Sequence, residues 1–360
     1  LHSSINEWIK RIMAYTTINK HTDFFNRIKY TGTGSEPRAL TGFGHQPDWI
    51  LVKRRDGTMH PQVNDSVMGA TKWRYTSSTG VDDTSTQAIT YGTDGLTWNG
   101  GNYDANSNTY NYILYSMKAG TTSGLSGGTI TPSAYSINTT SKFGMYKYTG
   151  TGSAGTIPHG LGTTPKMIWI RRTDSSTQWS VYHKFVGNTK HLILNSDVAQ
   201  VTSSNYWNDT SPTSSVFSIG SGTDVNASGG TYIAYVWGEA PGYSAFGGYY
   251  GNYNNNGSFI YCGFKPAFVL IRQTNDTGQW RIYDTLRESY GQKDLLKYIA
   301  AESTAAEVTT SDGGLDILSN GFKIRSSGGN HDLNGNQDPY AYMAFGQSLV
   351  GTNNVPATAR

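Results

Sequence analysis

The chain has only one cysteine, Cys262, among 360 residues, which excludes an internal disulfide and any zinc or iron–sulfur site built on several cysteines. Charged residues are also scarce, at 15% against roughly 25% in an average globular protein. The formal net charge is +3, and Lys and Arg do not cluster as a nucleic-acid-binding surface requires. No apolar run reaches the roughly eighteen residues of a membrane-spanning helix. The sequence therefore predicts neither a nucleic-acid partner nor a membrane span.

Glycine and aromatic residues take the place of the missing charges. The chain has 43 glycines and 25 tyrosines, and aromatic residues make up 13% of it. This composition disfavours helices and favours strands joined by tight turns. It excludes a coiled coil, and the aromatic content is high enough to form a hydrophobic core.

The first residues carry the clearest helical pattern. Ser4 and Glu7 have the spacing of a capping box, and Ile5, Trp8 and Ile12 fall on one helical face. We predict a short helix and lead-in over residues 1–23. Two interpretations stay open: residues 1–12 precede a natural start at Met13, or they form a docking helix.

A threefold internal repeat dominates the rest of the chain. Tyr-Thr-Gly-Thr-Gly occurs at 30–34 and 148–152, and a degenerate copy begins at Tyr249. The same offsets from these tyrosines lead to three prolines, three basic residues and three polar residues, which are Pro47, Pro165, Pro266, Lys53, Arg171, Arg272, Asp65, His183 and Asp284. We predict repeats at 24–120, 143–242 and 243–351, a Gly/Ser/Thr-rich linker at 121–142 and a tail at 352–360.

Each repeat has the pattern of an all-β fold. Short apolar runs, such as those starting at Trp49, Met167 and Phe268, are bounded by proline and by turn residues. We predict three tandem antiparallel β-sandwich units of jelly-roll, concanavalin-like type, with a short N-terminal helix. Residues 295–307 have good helix propensity, but the matching part of the second repeat predicts a strand, and we follow the repeat.

A calcium site is one interpretation of the polar residues near the end of each repeat. Oxygen-bearing side chains alternate there, as in a calcium loop, although no glutamate follows at EF-hand spacing. The competing interpretation is an Asx-turn hairpin. The candidate calcium ligands are Asp104, Asn106, Asn108, Asp224, Asn226, Asn334, Asn336 and Asp338.

Aromatic residues in turn-rich segments are the candidate ligand-binding residues. Flat aromatic rings beside asparagine and aspartate side chains suit the recognition of sugars. The competing interpretation is that each ring packs on its own sandwich or on the neighbouring unit. The candidates are Trp179, Trp280, Tyr206, Trp207, Tyr250 and Tyr253.

Four segments of the chain resemble a family of marine bacteriophage proteins. They are the opening Met13-Ala-Tyr-Thr-Thr-Ile-Asn-Lys20, the repeated Tyr-Thr-Gly-Thr-Gly, the Gly42-Phe-Gly-His-Gln-Pro-Asp-Trp49 segment and the ending Val355-Pro-Ala-Thr-Ala-Arg360. Members carry one or more concanavalin-like or SPRY-like sandwich units and are mostly uncharacterised or tail-associated. The resemblance covers nearly all of residues 13–360 and implies a place in the virion. It supplies no catalytic residues.

These observations predict a non-enzymatic virion protein at the surface of the phage particle, in a tail-fibre-like appendage that binds host-surface glycan and other virion proteins. Fibre proteins are often homotrimers, but three repeats could also form a pseudo-symmetric monomer. One alternative is a capsid-decorating or spacer protein without a host ligand. A polysaccharide-degrading enzyme is the second alternative, because only the fold can bring a pair of catalytic carboxylates together. We expect no cofactor other than the calcium considered above.

Overall fold

The computed structural model describes residues 16–84, 88–100, 103–288, 294–311, 313–326 and 331–347. Most of the predicted N-terminal helix and the tail at 352–360 lie outside these ranges. The first described helix is a single 3-10 turn, His21–Asp23. None of the helices among these residues is long and apolar enough to cross a membrane. The fold is all-β, as predicted.

Three successive segments of the chain each form one large and one small sheet. The first segment contains β1 (Phe25–Thr31), β2 (Arg38–Thr41), β3 (Trp49–Arg54), β4 (Gln62–Asp65), β5 (Lys72–Tyr75), β6 (Asp83–Thr84), β7 (Ile89–Gly92), β8 (Gly95–Trp98), α1 (Tyr103–Asn106) and β9 (Asn111–Met117). The second contains β10 (Ala134–Asn138), β11 (Phe143–Thr149), β12 (Gly155–Pro158), β13 (Pro165–Arg172), β14 (Ser180–His183), β15 (Lys190–Ile193), β16 (Val201–Thr202), α2 (Ser204–Trp207), β17 (Val216–Ile219), α3 (Thr223–Asn226) and β18 (Thr231–Gly238). The third contains β19 (Ser244–Tyr250), β20 (Phe259–Tyr261), β21 (Lys265–Gln273), β22 (Arg281–Asp284), β23 (Asp294–Leu295), β24 (Lys297–Ala300), β25 (Val308–Thr309), β26 (Leu315–Leu318), β27 (Gly321–Ile324), α4 (His331–Asn334) and β28 (Pro339–Gln347).

The large sheets share one strand order. They run β1-β9-β3-β4-β5-β6, β10-β11-β18-β13-β14-β15-β16 and β19-β28-β21-β22-β24-β25. In each, the last long strand (β9, β18 or β28) lies between the strand that carries the repeated tyrosine (β1, β11 or β19) and the strand at or after the repeated proline (β3, β13 or β21). All these pairs are antiparallel. The small sheets, β2-β8-β7, β12-β17 and β20-β27-β26-β23, pack against one face of the large ones as sandwiches.

The central strands of the large sheets do not alternate apolar and polar residues, because these sheets are covered on both faces. In β3, Ile50 and Val52 pack towards the small sheet, whereas Trp49 and Leu51 face a second core at the centre of the molecule. All three large sheets contribute to that central core, whose members include Tyr115, Trp169, Tyr235, Trp237, Phe268, Leu270, Met343 and Phe345. The three segments therefore share one hydrophobic interior as well as having an outer core each.

The repeated basic residue of each segment donates a hydrogen bond to the preceding segment, and the three bonds close a ring. Lys53 of the first segment donates to Thr304 O of the third, Arg171 of the second donates to Gly80 O of the first, and Arg272 of the third donates to Asp197 O of the second. All three side chains are buried. Burial, with Arg54 nearby, lowers the pKa of Lys53 to about 7. These residues lie at the ends of central strands, where they bridge segments.

The polar residue eighteen positions after each repeated proline contacts the following segment, and these three contacts close a second ring. Asp65 accepts from the Tyr235 hydroxyl of the next segment at 2.7 Å, and Asp284 accepts from the Tyr115 hydroxyl at 2.7 Å. At the third interface His183 Nε2 lies 3.0 Å from Tyr342 O.

The change from aspartate to histidine at the third interface has a structural reason. Tyr340 pairs with Tyr249 as Tyr112 pairs with Tyr30, so Met343 occupies the position of Tyr115 and Tyr235. Methionine has no hydroxyl to donate, and a carboxylate facing it would lack that partner. The strand pairing thus makes Tyr340, and not Tyr342 two residues later, the equivalent of Tyr112.

The predicted linker at 121–142 is partly a strand. Ala134–Asn138 forms β10 at the edge of the second large sheet, paired with β11. The preceding residues cross the surface in fixed contact with β12, because Thr129 N and Ile130 N both donate to Thr156 O. This part of the linker is therefore a packed surface crossing and not a flexible joint. Residues 297–300 form a strand, as the repeat predicted against helix propensity.

Candidate ligand-binding loop

A stacked pair of tyrosines supports the loop that follows the first strand of each segment. The pairs are Tyr30 with Tyr112, Tyr148 with Tyr232 and Tyr249 with Tyr340, with ring centroids 5.1, 5.1 and 4.9 Å apart. In the third pair, the Tyr249 hydroxyl donates to Leu333 O at 2.9 Å and the Tyr340 hydroxyl accepts from Gly335 N at 2.7 Å. The loop is thereby tied to the short helix before the last strand.

A buried asparagine in that helix clamps the same loop from the other side. Asn334 Oδ1 accepts from Asn252 N at 2.9 Å, and its Nδ2 donates to Asn254 O at 2.7 Å and to Ser326 O at 3.0 Å. Asn106 and Asn226 make equivalent bonds in the first and second segments.

This clamp argues against the calcium interpretation. The amide oxygens of Asn106, Asn226 and Asn334 already accept backbone N–H groups, and their amide nitrogens point at carbonyls, an arrangement that would repel a cation from the same pocket. These residues also lie in short helices rather than in the hairpin turn that was the alternative.

The other candidate calcium ligands do not converge on a site. Asp224 accepts from the Tyr206 hydroxyl at 2.8 Å, and Asp338 accepts from Asn275 Nδ2 at 3.1 Å. Asp104, Asn108 and Asn336 are exposed. Within the described ranges no group of three His, Cys, Asp or Glu side chains is arranged to hold a metal ion.

Tyr253 stands out because of its backbone. Its φ is 56°, in the left-handed region, and its N–H donates to Asn334 O. The equivalent positions in the other segments are Gly34 and Gly152, with φ of 65° and 77°, whose N–H groups donate to the matching Asn106 and Asn226 carbonyls. The clamp imposes this conformation, which glycine adopts freely and which costs a tyrosine roughly 1–2 kcal/mol.

The ring of Tyr253 is held at the surface, where it is 54% exposed. Tyr250, at the end of β19, is 57% exposed and packs edge-on against Phe185 of the second segment at 6.0 Å. Exposed asparagines follow in the same loop, at 252 and 254–256. Two tyrosines and several side-chain amides therefore share one loop, which we call the Tyr253 loop (residues 250–257).

The tryptophan candidates are not at the surface. Trp179 and Trp280 are buried, and their indole N–H groups donate to Tyr75 O and Ile193 O of the neighbouring segments at 2.9 and 2.8 Å. Trp207 is buried in the outer core of the second segment. The expectation that these three rings contact a ligand is therefore not met. They pack in the cores and at the interfaces between segments, as the competing interpretation had it.

Tyr206 has an intermediate position. Its ring stacks on His191, and its hydroxyl bonds to Asp224. Burial, with Asp224 beside it, raises the pKa of the Tyr206 hydroxyl above its usual range. This tyrosine is held by its neighbours and is only partly exposed.

One further concavity lies between the first segment and the linker crossing. This groove has a volume of about 480 Å3, and its lining includes Gln46, Asp48, Ser66, Tyr135 and Ser136. The Asp48 carboxylate is already bonded to Ala119 N and Gln46 Nε2, each at 2.7 Å, and the Tyr135 hydroxyl accepts from Leu125 N. We therefore rank the groove below the Tyr253 loop as a ligand site.

Among the exposed aromatics that sequence reasoning missed are Phe259 and Tyr261 of β20, which are 46% and 61% exposed. The signal was present as an apolar triplet with Ile260 in the middle, whose alternation sends the outer two rings to one face. Nothing in a single repeat indicated that this face is open.

The fold and the loop define an all-β protein of antiparallel sandwiches joined around a common core, with aromatic side chains displayed on the third segment. The chain belongs to the family described as a domain of unknown function, DUF7483, whose model matches residues 20–348. No curated protein and no solved structure matches it.

Proposed function

We propose that this protein is a structural protein of a phage virion, part of a tail-fibre-like appendage, and that its Tyr253 loop binds a glycan of the host surface. The observation that carries the glycan part is the tyrosine held in a left-handed conformation where the other two segments have glycine. A bulky residue persists in such a conformation only when its surroundings over-determine it, and residues of this kind cluster at ligand sites.

The chemistry of the loop supports a sugar rather than a charged ligand. The ring faces of Tyr250 and Tyr253 offer flat apolar area for the C–H faces of a pyranose, and nearby asparagine amides can donate to and accept from hydroxyl groups. The loop itself, residues 250–257, contains no charged side chain. Because the clamp holds the backbone in advance, binding would cost little ordering of the loop.

The virion part of the proposal rests on the resemblance to marine phage proteins and on the architecture. Three sheets around one core give in a single chain the kind of threefold arrangement that fibre proteins build from three chains. Light scattering tests this point: a self-sufficient ring gives a mass of 39.3 kDa, whereas a homotrimeric fibre gives three times that mass.

A glycan array tests the ligand. We expect the intact protein to bind a restricted set of bacterial surface glycans, and Tyr253→Gly or Tyr250→Ser to weaken that binding about tenfold or more, the usual loss for a central aromatic contact. The matched control is Tyr261→Ser, which removes an equally exposed tyrosine elsewhere on the same segment. Equal binding by Tyr253→Gly and the unaltered protein would refute the proposed site.

Immunogold labelling of the phage particle tests the location. Gold at the tail tip supports the appendage. Labelling of the head alone, together with no binding of the purified protein to host cells, favours the capsid-decorating or spacer alternative and overturns the proposal. Incubation with host polysaccharide and sizing of the fragments tests the degrading enzyme.

A further inference from the structure

We propose that the free edge of β20 binds an extended peptide segment of a partner protein, which adds to the small sheet of the third segment as a further strand. This inference does not depend on glycan binding. It rests on an edge that is open in the third segment and that the chain itself covers in the second.

β20 is the outer strand of its sheet, in the order β20-β27-β26-β23. Its inner hydrogen bonds to β27 involve alternate residues, since Ile324 N donates to Ser258 O and Cys262 N donates to Asn320 O. In an antiparallel pair the residues between these positions direct their N–H and C=O groups the other way. The backbone groups of Phe259 and Tyr261 therefore point outwards, and within the described part of the chain no strand pairs with them.

The side chains at this edge form an unusually apolar surface. The exposed rings of Phe259 and Tyr261 share the outer face of the sheet with Leu318, which lies in the same cross-strand row as Tyr261, with Gly321 between them. Gly321 has no side chain to cover either neighbour. Edge strands usually carry charges or prolines that prevent pairing, and an edge with exposed aromatic residues lacks that protection.

The second segment shows how such an edge is filled. The equivalent strand is β12, because Ile157 pairs with Phe217 as Ile260 pairs with Phe322, so Thr156 matches Phe259. Thr129 N and Ile130 N donate to Thr156 O at 2.9 and 3.0 Å. Thr156 N in turn donates to Thr129 Oγ1 at 2.8 Å.

The linker also inserts a side chain at this edge. Ile130 is buried against the outer core of the second segment. The linker thus covers the outward backbone groups of Thr156 with a bend at residues 128–130 and fixes it there with one apolar anchor. Only residues 239–243 separate β18 from β19, so the connection into the third segment is too short to supply a similar cover.

These features specify the occupant. The open edge is three residues long, which suits a short peptide better than the broad contact of a folded partner. Lys323 lies opposite Phe259, and the next residue in that row, Asp316, is buried and paired with Arg325, so the adjoining face carries charges of both signs. We infer a neutral peptide in extended conformation that carries a hydroxyl residue followed by a β-branched apolar residue, as the Thr129-Ile130 pair does.

The test uses a synthetic peptide with the sequence of residues 124–133 as the probe and the intact protein labelled for amide NMR. We expect the peptide to shift the amide signals of Phe259 and Tyr261 and to slow their hydrogen exchange at least tenfold at saturation. A peptide with alanine in place of its isoleucine should bind several-fold more weakly.

Two variants link the binding to the edge. Tyr261→Pro removes the outward N–H, and the matching position in β12 is already a proline, Pro158, so the fold should accept it. This variant should lose binding, whereas Tyr261→Ser, which lacks the same ring but keeps the N–H, should bind at least tenfold more tightly than Tyr261→Pro. Tyr253→Gly, outside the edge, should bind within about threefold of the unaltered protein. Undiminished binding by Tyr261→Pro would overturn the proposal.

Three other results would also overturn it. The first is no change at these amides with peptide up to about 5 mM, since even a weak strand addition should be visible there. The second is protection that grows with protein concentration in the absence of peptide, which would mean that two copies pair through this edge. The third is full protection in the protein alone at every concentration, which would mean that the chain covers the edge itself.

Discussion

The left-handed conformation of Tyr253 leads to a test that separates backbone strain from the contacts of the ring. We compare alanine with glycine at position 253 and, in parallel, at position 261 in β20. Each substitution removes a tyrosine ring, so the lost ring contacts cancel within each pair. What remains is the difference between alanine and glycine in a given backbone conformation.

The two positions should give opposite signs. In a strand, glycine is less stable than alanine by about 0.5–1 kcal/mol, because it loses more backbone entropy on folding. At a φ of 56° alanine pays roughly 1–2 kcal/mol of steric strain that glycine avoids. Tyr253→Gly should therefore be about 0.5–1 kcal/mol more stable than Tyr253→Ala, and Tyr261→Gly about 0.5–1 kcal/mol less stable than Tyr261→Ala. The difference between the two comparisons is about 1–2 kcal/mol.

Urea unfolding followed by tryptophan fluorescence measures these free energies, provided that the slopes of the four variants agree. A lower stability of glycine than of alanine at both positions would refute the left-handed conformation. Glycan binding gives an independent readout, because both variants at 253 lack the ring and should lose binding equally, whatever their stability.

Three further predictions concern the ring of contacts between segments. Asp65→Asn removes one of the two carboxylates that pair with the fully buried Arg74, and Asp82 remains as the other. It should cost about 1–3 kcal/mol in urea unfolding, whereas Asp174→Asn at the partly exposed pair with Arg172 should cost less than about 1 kcal/mol; equal losses would contradict this. Burial lowers the pKa of His183 from 6.5 to about 4, so between these pH values the unfolded chain binds a proton that the folded protein does not, and stability falls as the pH falls. His183→Gln should reduce the slope of the unfolding free energy against pH by up to about 1.4 kcal/mol per pH unit in that window. An unchanged slope would contradict the lowered pKa. His183→Asp and Met343→Tyr should each destabilise the protein alone, but together they recreate the hydrogen-bonded pair of Asp65 and Tyr235. A double-mutant cycle should therefore give a favourable coupling free energy of about 1–3 kcal/mol. Additive effects would show that the two side chains do not contact each other.

The strands and their burial could be predicted from sequence because they depend on local patterns. The apolar runs starting at Trp49, Met167 and Phe268 all became central strands, and the repeat correctly overruled helix propensity at residues 297–300. Strand formation needs only β-favouring residues bounded by turns, which one stretch of sequence displays.

The candidate site could be predicted only in part, because exposure is decided by contacts between distant residues. Tyr250 and Tyr253 are exposed, but Trp179 and Trp280, which were candidates of the same kind, are buried. Their partners, Tyr75 O and Ile193 O, lie in other segments, more than eighty residues away along the chain. The repeat already aligns Tyr253 with Gly34 and Gly152, but only the structure shows that the tyrosine keeps the left-handed conformation of the two glycines.

The contact between the two ends of the described chain has a consequence for chain connectivity. Gln347 Oε1 accepts from His21 N at 2.9 Å and its Nε2 donates to Asn19 O at 2.8 Å, so residues 19–21 and 347 are neighbours. A short connection there would turn the polypeptide into a circle without disturbing a sheet, and the circle could be reopened in the exposed crossing near Gly124. Circular permutants that begin with the second segment should therefore reach the same native state, because they keep every contact between the segments and change only their order along the chain.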